Sequence, residues 1–268
     1  MNPASNKSRI LFCVIAGAVL AIGAGSSVAS VGANASRTSG AASRPITAAR
    51  APRPRPHEVT GEVTLTQSGS DTAPDASQVV VWLTPSGSTT IAQGGADKPR
   101  YRLVQHNKRF EPSLLVVPVG SVVDFPNQDP WFHNVFSLYR GKRFDLGLYQ
   151  AGAQRSVHFD RIGPSYLFCN IHPEMTGVVL AVDSKLFSIS DKAGRYAIDG
   201  VAPGKYTMHV WYENAKPESL TNLQRTVVVD DTTRTLPTVS VPVVKQIQKE
   251  HKNKYGQDYD PDAMNPDY

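Results

Sequence analysis

Between Glu58 and Val229 the chain is a succession of short runs rich in Val, Ile, Leu, Thr, Tyr and Phe, each closed by Gly, Pro, Asn or Asp. Nothing else in the sequence limits the fold as tightly, because such runs are long enough for strands and too short for helices that bury a face. Residues 58–66 alternate Val59, Val63 and Leu65 with polar neighbours, the mark of a half-buried strand, whereas 78–83 is almost wholly apolar and reads as a more buried one. Further strands are expected at 114–119, 121–125, 134–138, 156–159, 166–169, 177–182, 186–190, 196–198, 206–211 and 225–229. No long amphipathic helix precedes about residue 242. The expectation is therefore all-β, and a length of 268 residues suits two small β-sandwiches.

The first 56 residues are of another kind. Lys7 and Arg9 precede an apolar run from Ile10 to about Gly25, followed by small residues that include Ala33, Asn34 and Ala35. That order predicts a secretory signal over 1–35, cleaved after Ala35, and hence an exported, periplasmic protein that meets membrane only through this segment if it is retained. The apolar run is short and rich in Gly and Ala for a stable span of about 20 residues. Residues 36–56, ending in Arg53-Pro54-Arg55-Pro56, cannot bury apolar surface and are expected to form a disordered linker. At the other end, 243–268 is expected to be a charged tail, with a short helix over 243–255 and disorder beyond Gly256. Asp258, Asp260 and Asp262 lack the glycine turn and closing glutamate of a calcium loop. The formal charge of +5 includes Lys7 and Arg9, and the remaining basic residues scatter without interleaved aromatics, which argues against nucleic acid as a partner.

The two cysteines divide between these regions. Cys13 lies in the leader, so Cys169 is left as the single thiol of a processed chain, without a partner for an intramolecular disulfide. A lone thiol in an oxidising compartment calls for an explanation, and metal ligation supplies one. Cys169-Asn170-Ile171-His172-Pro173-Glu174-Met175 puts a thiolate, an imidazole and a thioether in one tight loop just after an expected strand, and Pro173 restricts how far that loop flexes. A buried core thiol with accidental neighbours is the alternative, but with 7 His and 4 Met in the chain composition alone gives this spacing about 0.0004 of the time. The fourth ligand must come from elsewhere. His133 is the candidate, since it ends the turn-rich run Pro126-Asn127-Gln128-Asp129-Pro130 and opens the strand Asn134-Val135-Phe136. Two imidazoles, a thiolate and a long axial thioether form the donor set of one electron-transfer copper ion of the type 1, or blue, kind. Zinc is the main rival, but it almost never takes a thioether, so Met175 favours copper.

Four segments carry a family resemblance: Asn107-Lys108-Arg109-Phe110-Glu111-Pro112, Val119-Gly120-Ser121-Val122-Val123-Asp124-Phe125, His133-Asn134-Val135, and the loop from Cys169 to Met175. Together they resemble the plastocyanin and amicyanin cupredoxins over about residues 101–182, amicyanin most of all because of the short ligand loop. The resemblance implies a Greek-key cupredoxin sandwich, here over 100–182, with copper near one end and one-electron transfer to a redox partner protein of the cell envelope. It makes Cys169 the strong thiolate ligand, His133 and His172 the equatorial nitrogens, Met175 the axial contact, and the edge of His172 the exit for the electron. Asn134 is expected to strap the two ligand-bearing segments together, and Phe136 and Phe168 to exclude water. Multicopper oxidases relay electrons through histidines on both sides of the ligand cysteine, whereas Cys169 has Phe168 and Asn170. His57, His106, His158, His209 and His251 are scattered, and no nucleophile with an adjacent base, phosphate loop or carboxylate pair stands out. An enzyme is not expected.

On either side of this segment, Gly61-Glu62-Val63 through Val79-Val80-Val81-Trp82-Leu83 and the later phrases Asp191-Lys192-Ala193-Gly194-Arg195-Tyr196 and Gly200-Val201-Ala202-Pro203-Gly204-Lys205-Tyr206 resemble a carboxypeptidase regulatory-like, or transthyretin-like, β-sandwich. The resemblance implies a discontinuous second domain, 57–99 and 183–242, with the cupredoxin inserted in it or joined to it. Two other functions stay open on the residues alone: a copper chaperone or storage protein, and a metal-free carbohydrate-binding or adhesion sandwich.

Overall fold

The computed structural model describes residues 56–66, 75–87, 99–138, 141–244 and 251–259. The expected signal segment and nearly all of the expected linker lie outside the described residues, as do residues 245–250 of the segment for which a C-terminal helix is expected. In chain order the strands are β1 (His57–Thr66), β2 (Val80–Pro85), β3 (Arg100–Arg102), β4 (Val104–His106), β5 (Arg109–Glu111), β6 (Leu114–Pro118), β7 (Ser121–Pro126), β8 (His133–Ser137) and β9 (Phe144–Tyr149). They continue with β10 (Gln154–Phe159), β11 (Gly163–Phe168), β12 (Thr176–Val182), β13 (Phe187–Ile189), β14 (Arg195–Val201), β15 (Gly204–Trp211), β16 (Arg225–Val229) and β17 (Val239–Pro242). The chain is all-β apart from one short helix among the described residues, α1 (Pro217–Asn222), which starts on a proline, carries Glu218 in its first turn and buries no side chain. No helix among the described residues is long and apolar enough to cross a membrane.

Fifteen of the seventeen strands among the described residues sort into two pairs of facing layers, and β4 and β5 form a separate two-stranded hairpin. The sheet β14-β1-β17 and the sheet β13-β2-β15-β16 enclose a core in which Val59, Val63, Val81, Leu83, Ile198, Met208 and Val239 are sealed from solvent. The sheet β10-β7-β3 and the five-stranded sheet β6-β12-β11-β8-β9 enclose a second core around Leu103, Val123, Phe125, Phe159, Leu167 and Val179. Residues 57–85 and 186–242 thus pair with each other, and the segment between them closes on itself.

Alternation explains how the two cores are joined. Successive side chains of a strand point to opposite faces. In β12, Val179 and Ala181 enter the second core while Val178, Leu180 and Val182 point the other way, where they meet Leu114 and Val116 of β6 and Val80 and Trp211 of β2 and β15. A strand buried on both faces needs a continuous apolar run, which is what Gly177-Val178-Val179-Leu180-Ala181-Val182 and Val79-Val80-Val81-Trp82-Leu83 provide. Trp82 adds a polar tie across this seam by donating its indole N–H to Asp183 at 2.9 Å. The consequence for function is a rigid base beneath β11 and β12, the two strands that frame the ligand loop.

Candidate metal centre

Cys169 follows directly on the last residue of β11, and Met175 precedes the first of β12, so the loop between them is a hairpin connection. It is tightened from within: the Cys169 N–H donates to the Met175 carbonyl at 3.2 Å and the Met175 N–H to the His172 carbonyl at 3.0 Å. Strand β8 lies beside β11, with Phe136 opposite Phe168, which carries His133 to the same end of the sheet as Cys169. The two phenylalanines are buried and their rings pack 5.8 Å apart, but Phe168 alternates with Leu167 and Cys169 to the other face of the sheet, where His251 covers it. Neither ring belongs to the core that holds Cys169 and Met175, so the water exclusion expected of them lies on that other face.

Three donor atoms converge there. His133 Nδ1 and His172 Nδ1 lie 3.1 Å apart, and Cys169 Sγ is 3.9 Å from the first and 3.6 Å from the second. The point equidistant from all three is about 2.1 Å from each, close to the ~2.0–2.1 Å and ~2.3 Å of first-row metal bonds to imidazole nitrogen and thiolate sulfur. Among the described residues this is the one cluster of His, Cys, Asp or Glu side chains spaced to share an ion. All three residues are buried, and Met175 is sealed in the same core as Cys169. Two nitrogens and a thiolate at this spacing fit copper in their chemistry, and a thioether shares the buried core.

Asp129, seen in the sequence only as part of a turn, governs His133. Its Oδ2 lies 2.7 Å from His133 Nε2 and accepts that proton, which leaves the Nδ1 lone pair pointing into the site. The carboxylate is itself held by the backbone N–H groups of Asn107 at 2.6 Å and Lys108 at 2.9 Å. Both of these residues adopt positive φ, a tight turn whose two amides point at one acceptor. Burial alone would raise the Asp129 pKa, but the bonds from Lys108, His133 and Asn107 outweigh it and hold the carboxyl below its ordinary range.

The strap expected of Asn134 takes a different form. Its side-chain amide donates to Asp145 Oδ1 of β9 at 2.8 Å, while its backbone N–H reaches across to the Cys169 sulfur. The amides of Ile171, His172 and Asn170 also point at that sulfur. Burial raises the Cys169 pKa, and these N–H groups oppose it. The metal-free site therefore holds a thiol, already surrounded by the donors that a thiolate needs.

Burial lowers the pKa of both histidines, and for His172 the nearby His133 and Lys108 charges add to the effect, bringing it to about 4. Below the unfolded-chain value of about 6.5 the unfolded state takes up protons that the folded site refuses. The contribution of His172 is thus expected to be complete above that pH and to be lost as the pH drops from about 6.5 toward 4, by up to ~1.4 kcal/mol per unit, and His133 acts in the same direction. Asp129 opposes the loss at His133, and Lys108 reinforces it at both rings. Thermal melts of the metal-free chain across this window measure the slope.

His172 is buried, yet it borders a surface hollow of about 430 Å³ lined by Pro130, Trp131, Phe132, Leu148 and Ile171. Phe132 and Leu148 are each more than half exposed. Residues 251–259 form a non-helical turn docked on the loop, where sequence led to a helix and then disorder. His251, which sequence left as one of several scattered histidines, lies against Phe168 with ring centroids 4.3 Å apart.

No family model matches the chain, and no curated protein matches it. Among solved structures it is similar to a purple cupredoxin from Nitrosopumilus maritimus, at 24% identity over 32% of this chain and 100% of that one, with a TM-score of 0.28. It is similar also to an oxidised mutant of amicyanin, at 19% identity over 38% of this chain and 99% of that one, with a TM-score of 0.29. A copper-containing nitrite reductase from Thermus scotoductus aligns at 20% identity over 37% of this chain, with a TM-score of 0.31, and the chain spans 25% of that protein's length.

Proposed function

We propose that this chain is an exported copper protein with one type 1 centre held by His133, Cys169, His172 and Met175, and that it carries single electrons to and from a partner of the cell envelope. The observation that carries this reading is the triangle of His133 Nδ1, His172 Nδ1 and Cys169 Sγ, whose centre stands at bonding distance from all three. Copper would supply the one-electron couple. The chain supplies a donor set that is fixed beforehand: Asp129 sets the tautomer of His133, the loop amides face the sulfur, and Cys169 and Met175 are sealed in one apolar core. A site that holds one geometry for both oxidation states leaves little to rearrange as the electron moves. The apolar hollow beside His172 suits a partner that presents an apolar face, since it brings that partner to within one imidazole of the donor atoms.

The test is the addition of Cu(II) to the purified protein, followed by optical and EPR spectroscopy. The expected result is intense visible absorption from thiolate-to-copper charge transfer, with an EPR signal of unusually narrow copper hyperfine splitting. A colourless product with ordinary tetragonal copper signals rejects the proposal. An ion that is lost on the first reduction instead of surviving repeated cycles points to delivery of copper.

A further inference from the structure

We propose that residues 251–259 are a strap that sets the shape of the ligand loop, with His251, Lys254 and Tyr259 as positioning residues for the metal centre. The consequence for the metal rests on the copper reading above, while the mechanical claim does not.

The loop makes few bonds of its own, and the strap meets three of its seven residues. The Tyr259 hydroxyl donates to the Cys169 carbonyl at 2.9 Å, His251 Nε2 bonds the Pro173 carbonyl at 2.7 Å, and the Lys254 N–H donates to Asn170 Oδ1 at 3.0 Å. These attachments fall at the start and the middle of the loop, on either side of His172. The strap is also braced internally, because the Tyr259 hydroxyl lies 3.1 Å from His251 Nδ1 and the two rings meet edge to face. The His251 ring covers Phe168, the residue that precedes Cys169.

Lys254 extends the strap to the other ligand segment. Its ammonium pairs with Asp145 Oδ2 at 2.9 Å, and Asp145 Oδ1 accepts from the side chain of Asn134, whose backbone N–H faces the Cys169 sulfur. One short stretch thus touches the hairpin that supplies Cys169, His172 and Met175 and, through Asp145 and Asn134, the strand that supplies His133. A tail that merely rested on the sheet would have no reason to seek out both.

The test compares the full metal-free chain with Tyr259→Phe, which keeps the ring and removes the hydroxyl, and with the triple variant His251→Ala, Lys254→Ala, Tyr259→Phe. Amide hydrogen exchange is read at Cys169 and Met175, whose N–H groups close the loop, with Val81 in the other sandwich as control. Each lost hydrogen bond is expected to speed exchange at the two loop amides by roughly 2–10-fold, leaving Val81 unchanged. Cu(II) affinity, measured by chelator competition, is expected to fall about 10–100-fold in the triple variant, as is usual when outer partners of metal ligands are removed. Unchanged loop exchange in both variants overturns the strap, whatever the protein does with copper. Faster loop exchange in a protein that binds no Cu(II) upholds the strap and rejects the metal centre instead.

Discussion

Replacing Cys169 by serine is expected to abolish the visible charge-transfer absorption and to lower Cu(II) affinity by more than the ~10–100-fold that outer partners cost, while leaving the fold in place. The absorption requires a thiolate donor, and a serine hydroxyl neither ionises in this range nor offers a soft, polarisable orbital to copper. Stability should change little. In the metal-free chain Cys169 is a buried neutral thiol, and a hydroxyl of nearly the same size can accept from the same converging amides of Asn134, Asn170, Ile171 and His172. The loss is then about 1–2 kcal/mol at most, the scale of a single imperfectly satisfied polar group. Titration with Cu(II) followed by absorption, EPR and thermal melts of the metal-free protein separates the two effects. A variant that keeps the colour shows that the sulfur at 169 is not the donor.

The parts of the centre that were legible in the sequence are those whose geometry is local. Cys169 and His172 lie within one hairpin connection, so their spacing alone implies that they face a common point. His133 was accessible because it opens a strand next to a turn, a position that leaves a side chain at the end of a sheet. Asp129 was not: its carboxylate matters through the positive-φ turn at Asn107 and Lys108, more than twenty residues away, and nothing in Pro126-Asn127-Gln128-Asp129-Pro130 distinguishes it from an ordinary turn aspartate. The docking of 251–259 was further out of reach, because its contacts span about eighty residues and depend on three polar atoms of a loop whose shape is tertiary. Fold class was readable throughout, since strand runs report their own length and burial. Strand β9 escaped notice because Asp145 and Gly147 interrupt its pattern, and both serve a neighbour: the Gly147 N–H and the Asn134 amide both donate to Asp145 Oδ1.

Asp129→Asn should bind Cu(II) about 10–100-fold more weakly than the parent protein and, in the copper that it does bind, show a more positive reduction potential. The carboxylate accepts three protons, from Asn107 N–H at Oδ1 and from Lys108 N–H and His133 Nε2 at Oδ2. An amide has one oxygen for these three donors. If its oxygen serves Asn107, the NH₂ group faces Lys108 and His133, and the imidazole can relieve that clash only by moving its proton to Nδ1, the atom that faces the site. If the oxygen serves His133, the Asn107 amide is left facing a donor. The carboxylate's charge also favours the more highly charged oxidation state, so its removal shifts the balance toward Cu(I), and each tenfold shift in that balance is about 59 mV for a one-electron couple. Asp129→Ala strands all three donors in a buried site and is expected to cost about 3–5 kcal/mol in the metal-free protein, read as a fall in Tm. Because the carboxyl pKa lies below its unfolded value, its contribution is whole above about pH 4 and is lost as the pH falls through the folded value. The alanine variant should therefore differ most from the parent near neutrality and least in acid. Equal potential, equal affinity and equal Tm in these variants would mean that His133 is oriented by something other than Asp129.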